Sequence, residues 1–368
     1  MSTSKVRGAI IGTGSVVEDL HLSAFRGLPH VEIAAICDTD RARARRAQEL
    51  AGAPSGYSSL EGLLSSERNI DFVDIATPAH THYQVVRQAL EAGLHVIVEK
   101  PLALSAAEGA ELDAIARRRQ RKLCVLQTYR YRAPMLQVEE ALKAGTLGAL
   151  NKMSITCRVD GDPFLERRGW DWAEKRTMLL LYELAVHYVD LAVHYLGPLR
   201  NVLGFNAQRA ADSGDVTAVS ALMQHEGGAL SVLDFTVRAS SRFIRVEFFG
   251  TNGDANVKLF PEGFVGLSGT VNPLKEIKAE VRRTSGFIAQ TVNDKLKLST
   301  VKRRARSHFL VMDGFVRSIQ HPELDPPVTA ESAVRTLEAL DILHELTVGA
   351  RGIERGRTEE ADALVEAV

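Results

Sequence analysis

Cysteine is scarce in this sequence, and long apolar runs are missing. The three cysteines, Cys37, Cys124 and Cys157, are odd in number and widely spaced among 368 residues, which argues against a disulfide framework or a thiolate zinc site. No run reaches the roughly 18 apolar residues that a membrane-spanning helix needs, and the N-terminus has no apolar core of an export signal. We therefore expect a protein of the reducing cytoplasm without a membrane partner.

An excess of charge of either sign is also missing. The 45 Lys and Arg residues balance 46 Asp and Glu residues, so no global field attracts nucleic acid or an anionic membrane. Basic runs are local, at 41–46, 117–122 and 302–306, and such short runs are usually exposed faces. For the stretch 282–306 we expect an exposed helical insertion, with an oligomer contact or an anionic partner as the alternative.

The length and the patterning that are present indicate two domains. Residues 1–127 alternate apolar runs with helical patterns, which is typical of a doubly wound parallel sheet, an α/β fold. Its predicted buried strands are 6–12, 31–38, 70–78, 94–101 and 122–127. Residues 128–368 carry strand-like runs such as VTAVSALMQ and FIRVEFFG between helices. They predict an α+β domain with a large, mostly antiparallel open sheet.

The segment GTGSVV (12–17) follows the first predicted strand and precedes a helical stretch, which is the setting of a dinucleotide-binding loop. Gly12 permits a tight turn, and Gly14 lets backbone N–H groups approach a pyrophosphate. Val17 stands where the usual pattern has a third glycine, so closer packing of helix and strand is not expected. The predicted cofactor-binding residues of this loop are Gly12, Thr13, Gly14, Ser15 and Val16.

The second predicted strand ends in Asp38. A carboxylate at this distance from the glycines would accept hydrogen bonds from the adenosine ribose. It would also repel a 2′-phosphate, which favours NAD over NADP, although Arg41 or Arg43 could accommodate NADP. The alternative is that Asp38 only begins a turn with Asp40.

Two further motifs follow the next predicted strands, TPAHTH (77–82) and IVEKP (97–101). Both would lie at the carboxyl edge of the sheet, where open α/β sheets bind ligands. Lys100 is expected to point into a crevice between the domains, with Pro101 constraining its backbone. A surface salt bridge between Lys100 and Glu99 is the alternative.

In combination, these motifs resemble the Gfo/Idh/MocA oxidoreductase family, and YRYRAPMLQVEEALKAGTLGAL and PPVTAESAVRTLEALDIL extend the resemblance nearly end to end. The resemblance implies a Rossmann domain at 1–127 and a substrate-binding and oligomerisation domain at 128–368. It also implies an NAD cofactor, with NADP as an alternative, and a catalytic Lys100. Further cofactor contacts are predicted at Thr77, Pro78, His82, Glu99, Lys100 and Gln127.

The resemblance further implies a motif of Asp-x-x-x-His type in the second domain, which here corresponds to Glu183 and His187. Glu183 replaces the usual Asp, and residues 176–178 replace the small residues that usually precede the motif. The spacing places Glu183 and His187 on one helical face, with Asp190 and His194 close to it. A metal site and a core histidine paired to Glu183 are alternatives, and we predict no metal.

The resemblance implies hydride transfer between nicotinamide and a secondary alcohol or ketone of a sugar, cyclitol or sugar derivative. Lys100 and His187 would meet beside the cofactor and share the proton transfer, and Glu183 would orient His187. A non-catalytic NAD-binding regulator and an NAD-dependent glycosidase remain open. Side chains that would contact the substrate, or else only pack, are Arg158, Arg168, Trp170, Trp172 and Tyr182.

The open sheet of the second domain also predicts an assembly. An apolar sheet face would be costly to leave exposed to water. We therefore expect a homodimer or homotetramer through this sheet.

Overall fold

In the computed structural model, the described residues are 5–159, 179–210, 215–237, 239–240, 242–260, 262–268 and 300–365. They divide into two compact units, the first within Met1–Leu136 and Ala289–Leu337 and the second within Gln137–Ile288 and Glu338–Val368. The predicted ranges 1–127 and 128–368 assigned residues 300–337 to the second domain, whereas these residues belong to the first unit. Helical periodicity identifies a helix without showing which sheet it covers.

The first unit is built on a six-stranded parallel sheet with the strand order β3-β2-β1-β4-β5-β6. This arrangement confirms the predicted parallel α/β fold. Strand β3 is absent from the five predicted strands, because its three residues SGY are too few to form an apolar run. The strands are β1 (Val6–Ile11), β2 (Val31–Cys37), β3 (Ser55–Tyr57), β4 (Phe72–Ile75), β5 (His95–Val98) and β6 (Leu123–Val125).

Helices cover this sheet, and some of them start at capping side chains. Asp40 accepts hydrogen bonds from the N–H groups of Ala42 and Arg43, and Ser105 accepts one from Glu108, as expected of N-cap residues. The helices of this unit are α1 (Leu22–Arg26), α2 (Arg41–Ala51), α3 (Leu60–Ser66), α4 (His82–Glu91), α5 (Ala106–Arg119) and α8 (Thr300–Gln320).

Helix α8 is held in the first unit by apolar packing. Phe315 lies edge-on to Phe72 of β4, with ring centroids 5.7 Å apart. Val311, Met312 and Phe315 are fully buried in the same core cluster as Ile10 and Ile36 of the sheet. The predicted insertion 282–306 lies outside the described residues except for residues 300–306, which begin α8.

The second unit contains a seven-stranded sheet with the order β13-β12-β11-β7-β10-β9-β8. Only β7 and β10 pair in parallel among its described strands, so the predicted, mostly antiparallel sheet is confirmed. The strands are β7 (Leu150–Val159), β8 (Leu199–Arg209), β9 (Val216–His225), β10 (Leu230–Val237), β11 (Phe243–Gly250), β12 (Asp254–Phe260) and β13 (Glu262–Ser268).

One face of this sheet is covered by helix α7 (Val186–Leu196). Strands β10, β11 and β12 alternate buried and partly exposed residues, as a sheet with one covered face should. Tyr188 and Tyr195 of α7 pack on Phe235 and Phe248, with ring centroids 5.8 Å and 5.0 Å apart. Helix α6 (Ala133–Lys143) and helix α9 (Ala330–Val365) each contain a boundary between the two units.

Two expectations from composition concern the cysteines and the membrane. Cys37, Cys124 and Cys157 are all free and buried, and burial raises the pKa of their thiols to about 11, about 12 and about 12. Among the described helices, none combines the length and the apolar character needed to cross a membrane.

Candidate active site

Gly12 fixes the turn at the carboxyl end of β1. Its φ is +87°, and a Cβ there would lie 2.7 Å from the carbonyl oxygen of Ala76 and 2.8 Å from the backbone nitrogen of Thr77. Both the backbone conformation and the close approach therefore require glycine. The turn brings the loops that follow β1 and β4 into contact.

The space next to the backbone of Gly14 is empty of other described residues. A Cβ built on Gly14 would meet no atom of the described residues within 4 Å. Val17, which replaces the third glycine, is fully buried in the core and begins a π-helical turn (Val17–His21) that leads into α1. The loop thus leaves space beside its backbone N–H groups, which is what a phosphate-binding loop requires.

Asp38 is held at the end of β2 by the same loop. Its Oδ2 accepts hydrogen bonds from the backbone nitrogen of Thr13 at 2.7 Å and from Thr13 Oγ1 at 2.6 Å. Its Oδ1 accepts one from the backbone nitrogen of Asp40 at 2.8 Å. The turn with Asp40 is therefore present, and contact of Asp38 with a ribose stays a prediction.

Lys100 follows β5 at this carboxyl edge, and its backbone is tied to neighbouring residues. The backbone nitrogen of Glu99 donates to the Ile75 carbonyl oxygen at 2.8 Å and so continues the pairing of β5 with β4. The backbone nitrogen of Lys100 donates to Glu99 Oε2 at 3.2 Å, and the Lys100–Pro101 peptide bond is cis. Lys100 itself is half-buried.

His82 connects the two loops that contain the predicted motifs. It is 1% exposed. Its Nδ1 lies 2.6 Å from the carbonyl oxygen of Pro101, and its Nε2 lies 2.9 Å from the carbonyl oxygen of Thr77. The ring thus positions the loops after β4 and β5, and its contact with a cofactor stays a prediction.

A buried group of ionisable side chains includes Glu99, the residue before Lys100. His21 Nδ1 is 2.8 Å from Asp74 Oδ2, and His21 Nε2 is 3.0 Å from Glu99 Oε1. His308 Nε2 lies 3.7 Å from the same Glu99 oxygen. His21 and Asp74 are 0% exposed, so their charges are screened little by solvent.

The charges of this group are set by opposing effects. Burial lowers the pKa of His21, but the charge of Asp74 and the hydrogen bonds to Asp74 and Glu99 outweigh it and raise that pKa to about 10. Burial on its own would raise the pKa of Glu99, but the hydrogen bond from His21 and the interaction with His308 hold it well below its usual range. Both shifts favour a protonated His21 beside an ionised Glu99.

The fit of a dinucleotide to this edge also has support from Gln127, which follows β6. Its side chain is 2% exposed, and its Oε1 has no hydrogen-bond partner among the described residues. A buried amide oxygen normally has a partner. Gln127, the open backbone at Gly14 and the carboxylate of Asp38 together suit a polar ligand at this edge.

The second unit holds Glu183 and His187 on consecutive helical segments. Glu183 lies in a π-helical segment (Leu179–Ala185), and His187 lies in the first turn of α7; both are half-buried. His194 is exposed, and its Nε2 lies 3.2 Å from Glu139 Oε1 on α6. The pairing of Glu183 with His187, and the meeting of His187 with Lys100, stay predictions.

The predicted substrate contacts differ in their surroundings. Arg158 is exposed on β7. Tyr182 is 2% exposed and donates a hydrogen bond to Asp341 Oδ1, which favours its packing role, and burial beside Asp341 raises its pKa. Arg168, Trp170 and Trp172 lie outside the described residues.

Comparison with protein families settles which family shares this organisation. A model described as an oxidoreductase family with an NAD-binding Rossmann fold matches residues 6–127, and a model of the GFO/IDH/MocA C-terminal domain matches residues 135–256. The chain belongs to the Gfo/Idh/MocA family. The first unit of this Gfo/Idh/MocA protein thus contains an NAD-binding Rossmann fold, as the motifs predicted, and the protein is an oxidoreductase.

Named relatives of this Gfo/Idh/MocA protein include sugar enzymes. It is 29% identical to a D-apiose dehydrogenase of Paraburkholderia graminis over 77% of this chain and 72% of the relative. It is 30% identical to a dTDP-3,4-didehydro-2,6-dideoxy-alpha-D-glucose 3-reductase of Saccharopolyspora spinosa over 62% of this chain and 68% of the relative.

The fold is shared with solved structures. One is the WlbA dehydrogenase of Bordetella pertussis in complex with NADH and UDP-GlcNAcA, with a TM-score of 0.73 and 19% identity. The match covers 95% of this chain and 97% of that one.

Three residues of the buried group, His21, Asp74 and His308, were missed in the sequence. Asp74 carried a usable signal, because a carboxylate inside the apolar run IDFVDIA needs a buried partner. His21 and His308 carried none, since they are separated by 287 positions and meet only through the packing of α8.

Proposed function

We propose that this Gfo/Idh/MocA protein transfers a hydride between NAD and a secondary alcohol or ketone of a sugar, cyclitol or sugar derivative. The activities for which its relatives are named support this substrate class. The observation that carries the proposal is the position of Lys100. A half-buried amine follows β5 at the same sheet edge where the loop of Gly12 follows β1.

NAD, when bound, accepts or donates the hydride. Backbone N–H groups of the loop 12–16 hold the pyrophosphate, and Gln127 offers a carbonyl oxygen to the cofactor. Lys100 exchanges a proton with the hydroxyl or carbonyl oxygen of the substrate. His187 of the second unit shares this proton transfer, and Glu183 orients its imidazole.

We propose NAD rather than NADP as the preferred cofactor because of Asp38. The two oxygens of its carboxylate are fixed by Thr13 and Asp40, so the negative charge cannot easily move away from a 2′-phosphate. Asp38→Asn keeps the size and removes the charge; its one amide oxygen can keep the bonds from Thr13, whereas the bond from the Asp40 nitrogen is lost. We expect the ratio of kcat/KM for NAD to that for NADP to fall roughly tenfold, or about 1.4 kcal/mol.

The central experiment is a screen of aldoses, polyols, cyclitols and nucleotide sugars, followed by NADH and NADPH absorbance. With a substrate identified, Lys100→Met is compared with Lys122→Met. Lys122 is also half-buried, but it precedes β6 at the opposite edge of the sheet, where its amine donates to the Pro322 and Leu324 carbonyl oxygens.

Loss of Lys100 should lower kcat by about 10²- to 10⁴-fold, which is the usual contribution of a positioned acid–base group. Lys122→Met should change kcat little, and both variants should still bind NAD, as measured by isothermal titration calorimetry. Equal activity of the two variants would remove Lys100 from the mechanism. NAD binding without turnover of any compound would instead favour a non-catalytic regulator.

We also propose that the seven-stranded sheet mediates a homodimer or homotetramer. Exposed apolar side chains on two neighbouring strands support this, since Leu203 of β8 is 52% exposed and Leu222 of β9 is 37% exposed. Leu222→Glu should shift the protein to a smaller species in light scattering. An unchanged mass, or a monomeric wild-type protein, would contradict the assignment.

A further inference from the structure

His21 is a buried histidine that bonds to a carboxylate at each ring nitrogen. It is 0% exposed. Asp74 Oδ2 lies 2.8 Å from Nδ1, and Glu99 Oε1 lies 3.0 Å from Nε2. These are ordinary hydrogen-bond lengths, and both acceptors are acidic groups.

The number of protons in this arrangement follows from the bonding. An ionised carboxylate can only accept a hydrogen bond, and a neutral imidazole has one donor nitrogen and one acceptor nitrogen. Two ionised carboxylates therefore require protons on both nitrogens of His21. The raised pKa of His21 and the lowered pKa of Glu99 place the extra proton on the histidine.

The carboxylate of Glu99 connects His21 to the backbone of Lys100. While Oε1 of Glu99 faces His21, its Oε2 accepts the backbone N–H of Lys100 at 3.2 Å. On the other side of Lys100, the carbonyl oxygen of Pro101 lies 2.6 Å from His82 Nδ1. Buried histidines thus hold the segment both before and after Lys100.

We propose that His21 is a positioning residue: it is held as an imidazolium between Asp74 and Glu99 and fixes the Glu99 carboxylate against the backbone N–H of Lys100. The contribution to catalysis rests on the proposed function of Lys100. The charge state of His21 and the hydrogen bond at Lys100 do not depend on that function and are measured separately.

His308 is the third group that faces this carboxylate. The ligand atoms of His21, Glu99 and His308 lie within 4.8 Å of one another, a spacing that a metal ion could also bridge. A hydrogen bond from protonated His21 to Glu99 explains their 3.0 Å contact without a metal ion. Metal analysis of the purified protein is therefore one arm of the test.

The first measurement is ¹⁵N NMR of protein labelled in histidine, with His21 assigned by the variant His21→Gln/Asp74→Asn. We expect both His21 nitrogens to be protonated at pH 8 and to lose a proton only as the pH approaches about 10. A neutral His21 ring at pH 8, or a stoichiometric metal ion in the protein, would overturn the proposal.

The second measurement is hydrogen exchange at the Lys100 amide, followed by mass spectrometry with residue-level fragmentation. The variant His21→Gln/Asp74→Asn replaces the charged pair by two neutral amides, so Asp74 is not left as an unpaired buried charge. Glu99 keeps His308, 3.7 Å away, as its remaining histidine partner. We expect exchange at Lys100 to be roughly tenfold faster than in the wild type. Unchanged exchange at Lys100 in the folded variant would remove the positioning role.

The third measurement is the pH profile of kcat/KM with the substrate from the screen. Without His21, only His308 still opposes the effect of burial and the pKa of Glu99 rises. Activity should therefore fall on acidification at a pH about one unit higher than in the wild type. We also expect kcat to fall roughly 10- to 100-fold. If the variant had the same pH profile as the wild type, the charge of His21 would have no part in keeping Glu99 ionised.

The control for these measurements is His225→Gln, which alters another buried histidine, in the second unit. It should leave the Lys100 amide and the pH profile unchanged. Failure of the proposed function would appear as missing turnover in all proteins, whereas failure of this inference would appear in the spectrum of His21 or in the exchange at Lys100.

Discussion

Each unit of the molecule buries a histidine whose two ring nitrogens are both hydrogen-bonded, yet the two rings differ in charge. In the first unit, His21 lies between the carboxylates of Asp74 and Glu99. In the second unit, His225 has the Gly197 carbonyl oxygen 2.7 Å from Nδ1 and the Ser231 hydroxyl 2.8 Å from Nε2. Their exposed fractions are 0% and 1%.

The partners, and not the burial, decide which histidine is charged. Burial lowers the pKa of His225, and the bond to the Gly197 carbonyl only partly opposes it. At His21 the same burial is outweighed by two acidic partners, and the pKa rises to about 10. The buried histidine of the second unit is thus neutral, whereas that of the first unit is charged and contacts Glu99, the residue before Lys100.

The largest expected effect is the loss of stability when His21 alone becomes neutral. In His21→Gln, Asp74 keeps a buried carboxylate whose Oδ1 already has no partner among the described residues. Leaving such a charge unpaired costs about 3–5 kcal/mol. Urea unfolding of the variant and of the wild type measures this difference in the free energy of unfolding.

The matched change in the second unit is His225→Gln, which removes a neutral hydrogen-bonding group. It should cost about 1–3 kcal/mol, because it leaves at most neutral partners unsatisfied. Equal losses in the two variants would mean that His21 carries no charge in the folded protein. Restoration of stability in His21→Gln/Asp74→Asn would confirm that the unpaired carboxylate causes the loss.

Some features of the first unit could be predicted from the sequence, and others could not. Local patterns identified the parallel sheet, the turn at Gly12 and the position of Lys100 after β5, because each depends on a short run of neighbouring residues. They did not show that α8 belongs to the first unit, or that His308 approaches Glu99. Those features depend on packing between segments far apart in the chain, for which hydrophobic periodicity contains no partner information.

A second prediction concerns the pH dependence of stability. His21 has a folded-state pKa near 10 and an ordinary value of 6.5, so its stabilisation is complete below pH 6.5 and is lost as the pH rises towards 10. The loss should be roughly 2–4 kcal/mol relative to His21→Gln/Asp74→Asn. The lowered pKa of Glu99 reports the same contact, so the two contributions are not added.

His225 should produce the opposite slope. Its pKa is lowered in the folded protein, so its contribution is present above pH 6.5 and decreases on acidification, when the unfolded chain binds a proton more readily. Unfolding of the wild type and of His225→Gln between pH 8 and pH 5 measures this difference. Slopes of the same sign at the two histidines would contradict the assignment of charge to His21.

The smallest loss of stability is expected for a substitution of His308. This residue contacts the same Glu99 oxygen as His21 but lies farther from it. Its Nε2 is 3.7 Å from Glu99 Oε1, against 3.0 Å for His21, and Asp74 bonds to His21. His308→Gln should therefore cost only about 1 kcal/mol, and it should leave the alkaline loss of stability in place. A loss of stability as large as that of His21→Gln would mean that His21 and His308 share the proton. The positive charge beside Glu99 would then belong to both histidines.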